Sequence, residues 1–142
     1  MKLSKYFTLE EMVYSKKALE LGLDNTPSEA IIEKLKFTCS EMDKIRERLG
    51  YPVTVSSGYR SLKVNKAVGS KAKNSQHIEG EAMDFVCPKF GTPRQIVQEI
   101  IKSGIVFDQL IQEPTWVHIS FKKTGNRKQV LIIDKNGARP FK

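Results

Sequence analysis

Cysteine is scarce in this 142-residue chain: Cys39 and Cys87 lie far apart and outside any Cys-x-x-Cys pattern. A disulfide framework and a cysteine-held zinc site are excluded on that ground, and both residues read as buried hydrophobes. Long apolar runs are also missing. Nothing approaches the roughly 18 apolar residues that a membrane-spanning helix needs. The opening MKLSKYFTLEEM meets a glutamate pair before a secretory signal core can form. The expectation is synthesis in the cytoplasm without a signal peptide, and no membrane span. Histidine occurs only at His77 and His118, and tryptophan only at Trp116. Any histidine chemistry must therefore draw on the same two side chains. With no internal repeat and no linker, a single domain over 1–142 is expected, working as a monomer.

What is present fits an ordinary globular fold. Hydrophobic residues make up 39% and charged residues 28%, and a chain of this length can bury about two-thirds of its unfolded surface. The net charge of +8 favours polyanions such as nucleic acids, anionic membranes or acidic wall polymers. The densest basic stretch, Lys63 to Lys73, has no interleaved aromatic residue on which bases could stack. That argues against a nucleic-acid partner and for a solvated loop.

Three helix starts share one device, a threonine whose hydroxyl accepts from an exposed backbone N–H, with Glu or Gln three residues later returning the bond. They are Thr8 with Glu11, Thr26 with Glu29 and Thr92 with Gln95. Pro27 and Pro93 then fall at the first helical position, where a missing donor costs nothing. The second helix carries Ile31, Ile32, Leu35, Cys39, Met42, Ile45 and Leu49 at a 3.6-residue period and should stop at Gly50. The third shows Ile96, Val97, Ile100 and Ile101 on one face and should end near Gly104. Strands are expected over Val53–Ser57, Ala82–Val86, Val106–Ile111, Trp116–Phe121 and Gln129–Ile133. Helices early and strands late predict an α+β fold, with N-terminal helices packed on a mainly antiparallel sheet.

The chemistry-bearing segment runs from Ser75 to Asp84 and places His77 and Asp84 about a glycine-containing turn, with Asp84 in a strand. His118 stands in another strand, within Trp116-Val117-His118. Two histidines and one carboxylate would leave zinc a fourth position for water, whose pKa it lowers to about 7. Glu79 and Glu81 are competing carboxylates in the same segment.

Ser75-x-His77-x-x-Gly80-x-Ala82-x-Asp84, preceded by Ser57-Gly58-Tyr59-Arg60-Ser61 and followed by Trp116-Val117-His118, resembles the zinc D-Ala-D-Ala carboxypeptidase and L-alanyl-D-glutamate endopeptidase family. The likeness extends from about Phe7 to Phe121 and is strongest to compact, endolysin-type members found in phages and prophages. It implies a Zn²⁺ cofactor held by His77, Asp84 and His118, in a sheet that carries the metal site. It implies hydrolysis of a peptide bond in bacterial peptidoglycan stem peptides, at the wall, after release from the cell or as part of a virion. It gives Arg60 the task of stabilising the charged intermediate, for which a permanently charged, planar guanidinium is suited. Ser75 matches a position near the substrate carboxylate or the metal, although a serine there also suits a turn cap. Tyr59 and Trp116 are aromatic residues on or beside strands and read as core.

The catalytic base departs from the family pattern. An acid is expected three residues before the last histidine, where this chain has Thr115. Glu113 beside Pro114 is the nearest carboxylate, and Asp108 is the second candidate. Two readings from other classes stay open: a non-catalytic wall-binding or virion module that keeps the fold, and a basic nucleic-acid binder to which the histidines are incidental.

Overall fold

The computed structural model describes residues 1–70 and 75–142. Three helices come first: α1 (Leu9–Val13), α2 (Lys16–Leu21) and α3 (Glu29–Leu49). Then follow β1 (Thr54–Ser57), α4 (Leu62–Ala67), β2 (Ala82–Val86), α5 (Pro93–Ser103), β3 (Gln109–Gln112), β4 (Val117–Ser120), β5 (Gln129–Asp134) and β6 (Gly137–Pro140). The fold is α+β, as expected. The strands form one six-stranded sheet in the order β1-β2-β4-β3-β5-β6. Every neighbouring pair is antiparallel except β3 with β5.

The capping boxes at Thr8 and Thr92 are both formed, with Pro93 opening α5. The start of α3 is not where the sequence suggested. Ser28, not Thr26, is the cap, accepting from the Ile31 N–H at 3.2 Å. Thr26 instead donates its backbone N–H to Asp24 at 2.9 Å, so Pro27 precedes the cap and does not occupy the first helical position. A serine one residue before Glu29 supplies the same acceptor without needing the proline inside the helix.

The α3 stripe is buried at Leu35, Cys39, Met42, Ile45 and Leu49, with Ile31 and Ile32 half-buried, and the helix ends at Gly50 in the left-handed conformation. On α5, Ile96, Val97 and Ile100 are buried, but Ile101 is exposed, so the apolar face is narrower than expected. Strand alternation sends Met83, Phe85, Leu110, Val117 and Ile119 into one core with the α3 and α5 stripes. Each such side chain contributes roughly 1.5–3 kcal/mol when fully buried. Packing of this size, more than helix propensity, fixes the sheet against the helices.

The third strand begins at Gln109, later than the expected Val106, which is exposed. The basic stretch is not a loop throughout. Its first part is α4, which buries Val64 and Asn65, and residues 71–74 lie outside the described residues. Both cysteines are free and buried, and burial pushes the Cys39 thiol up to about 12, which makes it inert. Among the described residues no helix is long and apolar enough to cross a membrane.

Candidate metal centre

The face of the sheet opposite the core carries the site. Asp84 on β2 and His118 on β4 are directly opposed across the antiparallel ladder, and Ser57 and Ile111 continue the same row on β1 and β3. His77 comes from the turn before β2. Its Nε2 lies 3.3 Å from Asp84 Oδ1, and His118 Nδ1 lies 2.8 Å from the same oxygen. One donor atom from each residue falls within 4.8 Å of the others. The sheet thus brings together the three expected ligands. Glu79, by contrast, is paired with Lys34 on the surface, and Glu81 meets Gln76 at 3.4 Å; neither belongs to the group.

The turn carrying His77 is pinned from several sides. Gly58 O accepts from His77 Nδ1 at 2.7 Å. A carbonyl only accepts, so Nδ1 bears the proton and Nε2, on the side of Asp84, keeps its lone pair for a cation, an arrangement that orients metal-binding histidines. The Arg60 N–H donates to His77 O at 3.2 Å. Thr38 on α3 donates its buried hydroxyl to Gly80 O at 2.7 Å. Gly80 has φ +73°, a conformation that calls for glycine, and a β-carbon there would stand a tight 3.2 Å from the Ile31 side chain. Gly58 is equally constrained, because a β-carbon would come 2.5 Å from Met12 O. The Ser57-to-Ser61 motif is therefore a brace: its glycine allows α1 to approach, and its backbone holds His77 by side chain and carbonyl.

The charges are set by burial and by mutual contact. Burial lowers the His77 pKa, which keeps the imidazole neutral and able to bind a cation. Burial alone would raise Asp84, but its contacts with the two imidazoles, the shortest at 2.8 Å to His118, outweigh it and hold the carboxylate well below its usual range. Arg60 is half-buried. Burial lowers its pKa against the opposing pull of Asp84, and its Nε is buried with no hydrogen-bond partner among the described residues. A guanidinium remains charged under such a shift.

Glu113 follows β3 and its backbone N–H donates to Trp116 O at 3.1 Å, closing the hairpin to β4. Burial raises its carboxyl pKa first, the Asp84 charge adds to this, and His118 opposes it. It therefore shares an electrostatic environment with the metal group. Asp108 does not. Its fully buried carboxylate accepts from Arg127 Nη2 at 2.7 Å, from the Arg127 backbone N–H at 2.9 Å and from Gln76 Nε2 at 3.0 Å. Burial works to raise it, yet these bonds hold it at about 2. A carboxylate so engaged serves as a structural anchor, with its oxygens taken up by Arg127 and Gln76. Gln76 precedes His77, so this anchor is one more tie on the turn. Nothing in the sequence spacing signals it.

Ser75 Oγ accepts from the His77 N–H at 3.2 Å, the turn-capping role. Tyr59 is core. Trp116 is half-buried and lines an apolar cavity of about 210 Å³ with Phe85, Cys87 and Ile96, away from the three ligands. A cavity of about 420 Å³ beside Lys34, Phe37, Lys122 and Lys123 also contains none of the site residues.

No curated protein matches the chain. The family model described as Peptidase M15 matches residues 5–120, a span that includes the brace, the His77 turn, Asp84 and His118. That match covers most of the sequence and ends with β4, the strand of His118, and the chain accordingly belongs to the Peptidase M15 family of metallopeptidases.

Proposed function

We propose that this protein is a zinc-dependent peptidase that hydrolyses an amide bond in bacterial peptidoglycan stem peptides, as a D,D-carboxypeptidase or an L-alanyl-D-glutamate endopeptidase. The observation that carries this reading is the convergence of His77, Asp84 and His118 in a chain of the Peptidase M15 family. Two imidazoles and one carboxylate match zinc's preference for nitrogen and oxygen donors and leave a position open. When bound there, zinc supplies Lewis acidity and lowers the pKa of water to about 7.

The remaining work falls to the chain's own side chains. Glu113 takes the proton of the attacking water, and its raised pKa brings a carboxylate closer to the neutral range where general bases are most effective. Arg60, with an unpartnered buried Nε, meets the negative charge that develops on the substrate carbonyl oxygen or holds a terminal carboxylate. Ser75 is given a substrate contact by the family likeness alone, since its Oγ serves the turn. The setting we propose is a phage or prophage, with action at the wall after release or within a virion.

Incubation with purified peptidoglycan, followed by mass identification of the fragments, tests the reading. Release of D-Ala or of a split stem peptide, stopped by a chelator and restored by zinc, is the expected result. A protein that holds zinc, binds the wall and releases no fragment would instead be a wall-binding module. The observation in favour of that second reading is Thr115 at the place where the family carries an acid.

A further inference from the structure

Asn25 lies in the connection between α2 and α3, with no ionisable group and no place among the ligands, yet its whole side-chain amide is used. Its Nδ2 donates to Val13 O at 2.8 Å and to Tyr59 O at 3.1 Å, and its Oδ1 accepts from the Ser61 N–H at 2.7 Å. It therefore clips the last residue of α1 to both ends of the segment 59–61. With Gly58 added, segment 58–61 holds His77 by side chain and main chain: Gly58 O accepts from Nδ1 at 2.7 Å and the Arg60 backbone N–H donates to His77 O at 3.2 Å. Tyr59 N–H adds a bond to Met12 O at 2.6 Å, so α1, Asn25 and the segment form one unit. Every one of these contacts uses main-chain atoms of the segment, which leaves Arg60's guanidinium free to serve the site.

We propose that Asn25 is a positioning residue for the metal centre, acting through segment 58–61 to fix the tautomer and aim of His77 and the placement of Arg60. The proposal rests on the reading of His77 as a zinc ligand. An amide is required because the three partners are two carbonyls and one N–H. A carboxylate of the same shape would face two carbonyl oxygens with no donor, and a buried carbonyl left without a partner relaxes away from it. The Gly58 carbonyl would move with Tyr59, to which it is joined by a planar peptide unit.

Asn25→Asp keeps the shape and removes both donors. In the metal-free protein, nitrogen-15 spectra of the imidazoles should show His77 as a single Nδ1–H tautomer in the parent and as a mixture in Asn25→Asp. Zinc affinity, measured by competition with a chromophoric chelator, should fall by about 10- to 100-fold, the usual effect of losing a partner that orients a ligand. Thr92→Ala, which removes the cap of α5 and touches nothing in this unit, lowers thermal stability and should leave tautomer and zinc affinity unchanged. That contrast separates positioning from general destabilisation. If Asn25→Asp does not fold, Asn25→Ser, whose hydroxyl can still serve one partner, takes its place with the same two readings. Parental tautomer and parental zinc affinity in a folded Asn25 variant would overturn the proposal, as would an equal loss of affinity in Thr92→Ala. If the parent itself takes up no zinc, the peptidase reading fails, and the tautomer measurement alone then decides the case of Asn25.

Discussion

Asp84 and His118 occupy the same rung of the β2–β4 ladder, and the carboxylate oxygen of one stands 2.8 Å from Nδ1 of the other. A pair set by strand register is preorganised by the whole sheet, because a slip of one residue in either strand would turn that strand's side chain to the opposite face and separate the two. His77 joins them from a turn whose backbone is tied to the brace and to α3. The group thus combines two side chains held by register and one held by hydrogen bonds.

Metal content follows from that division. The purified protein should carry about one zinc per chain, and His77→Ala or His118→Ala should lose it, since two remaining donors bind zinc weakly. Elemental analysis after desalting checks this. A chelator should also lower the parent's thermal midpoint, because an ion at 100 times its Kd stabilises the native state by about 2.7 kcal/mol. Undiminished zinc in either variant would remove the site.

Arg60 should behave differently. In the proposed function its charge serves the reaction, and its contact with His77 is made through its backbone, so Arg60→Ala should keep zinc and fold normally. Turnover on wall fragments should drop by about 10²- to 10³-fold, the effect of removing one donor to a developing oxyanion. Parental turnover would return Arg60 to a structural role.

How much of this was legible in the sequence depends on whether the relevant interaction leaves a residue pattern. The α3 stripe and the Thr92 capping box were readable because packing and capping select residue types at fixed spacing. The convergence of His77, Asp84 and His118 was readable because the chain has two histidines and the motif places Asp84 in a strand. Strand β6, Gly-Ala-Arg-Pro and exposed throughout, has no alternation to detect, and α2 buries only Ala18. The supports of His77 were hidden for another reason: the Gly58 carbonyl, the Asn25 amide and the Gln76–Asp108–Arg127 anchor join residues far apart through contacts that any sequence period would miss.

The Asp108–Arg127 pair gives a stability prediction with a defined sign. Asp108 titrates at about 2 in the folded protein against an ordinary 3.8. A depressed carboxylate pKa contributes stability that is fully present above the ordinary value and lost as pH falls toward the folded one. Arg127 is half exposed, so solvent screens the pair and the contribution is on the order of 1–2 kcal/mol. Thermal unfolding of the parent between about pH 4 and pH 2 should therefore show a loss that is shallower in Asp108→Asn, which is already destabilised at neutral pH. Identical slopes in the two proteins would show that the pair contributes no pH-dependent stability.

The same residue serves as the control for the base. Glu113 and Asp108 were the two carboxylates within reach of the role, and the structure separates them by environment: one half-buried near Asp84 and His118, the other saturated by Arg127 and Gln76. Glu113→Gln keeps the shape of the side chain and removes its capacity to take a proton, so zinc content and thermal midpoint should match the parent. Hydrolysis of wall fragments should fall by at least about 10²-fold, the lower end of general-base assistance. Asp108→Asn should give the reverse pattern, with stability reduced and turnover of the zinc-loaded protein largely kept, since asparagine can still accept from Gln76. Measuring both variants side by side makes the assignment decidable. If Glu113→Gln hydrolyses at nearly the parental rate while Asp108→Asn is folded, zinc-loaded and inactive, the two carboxylates exchange roles, with Asp108 the base and Glu113 a bystander. Should both variants match an active parent, proton transfer uses neither carboxylate.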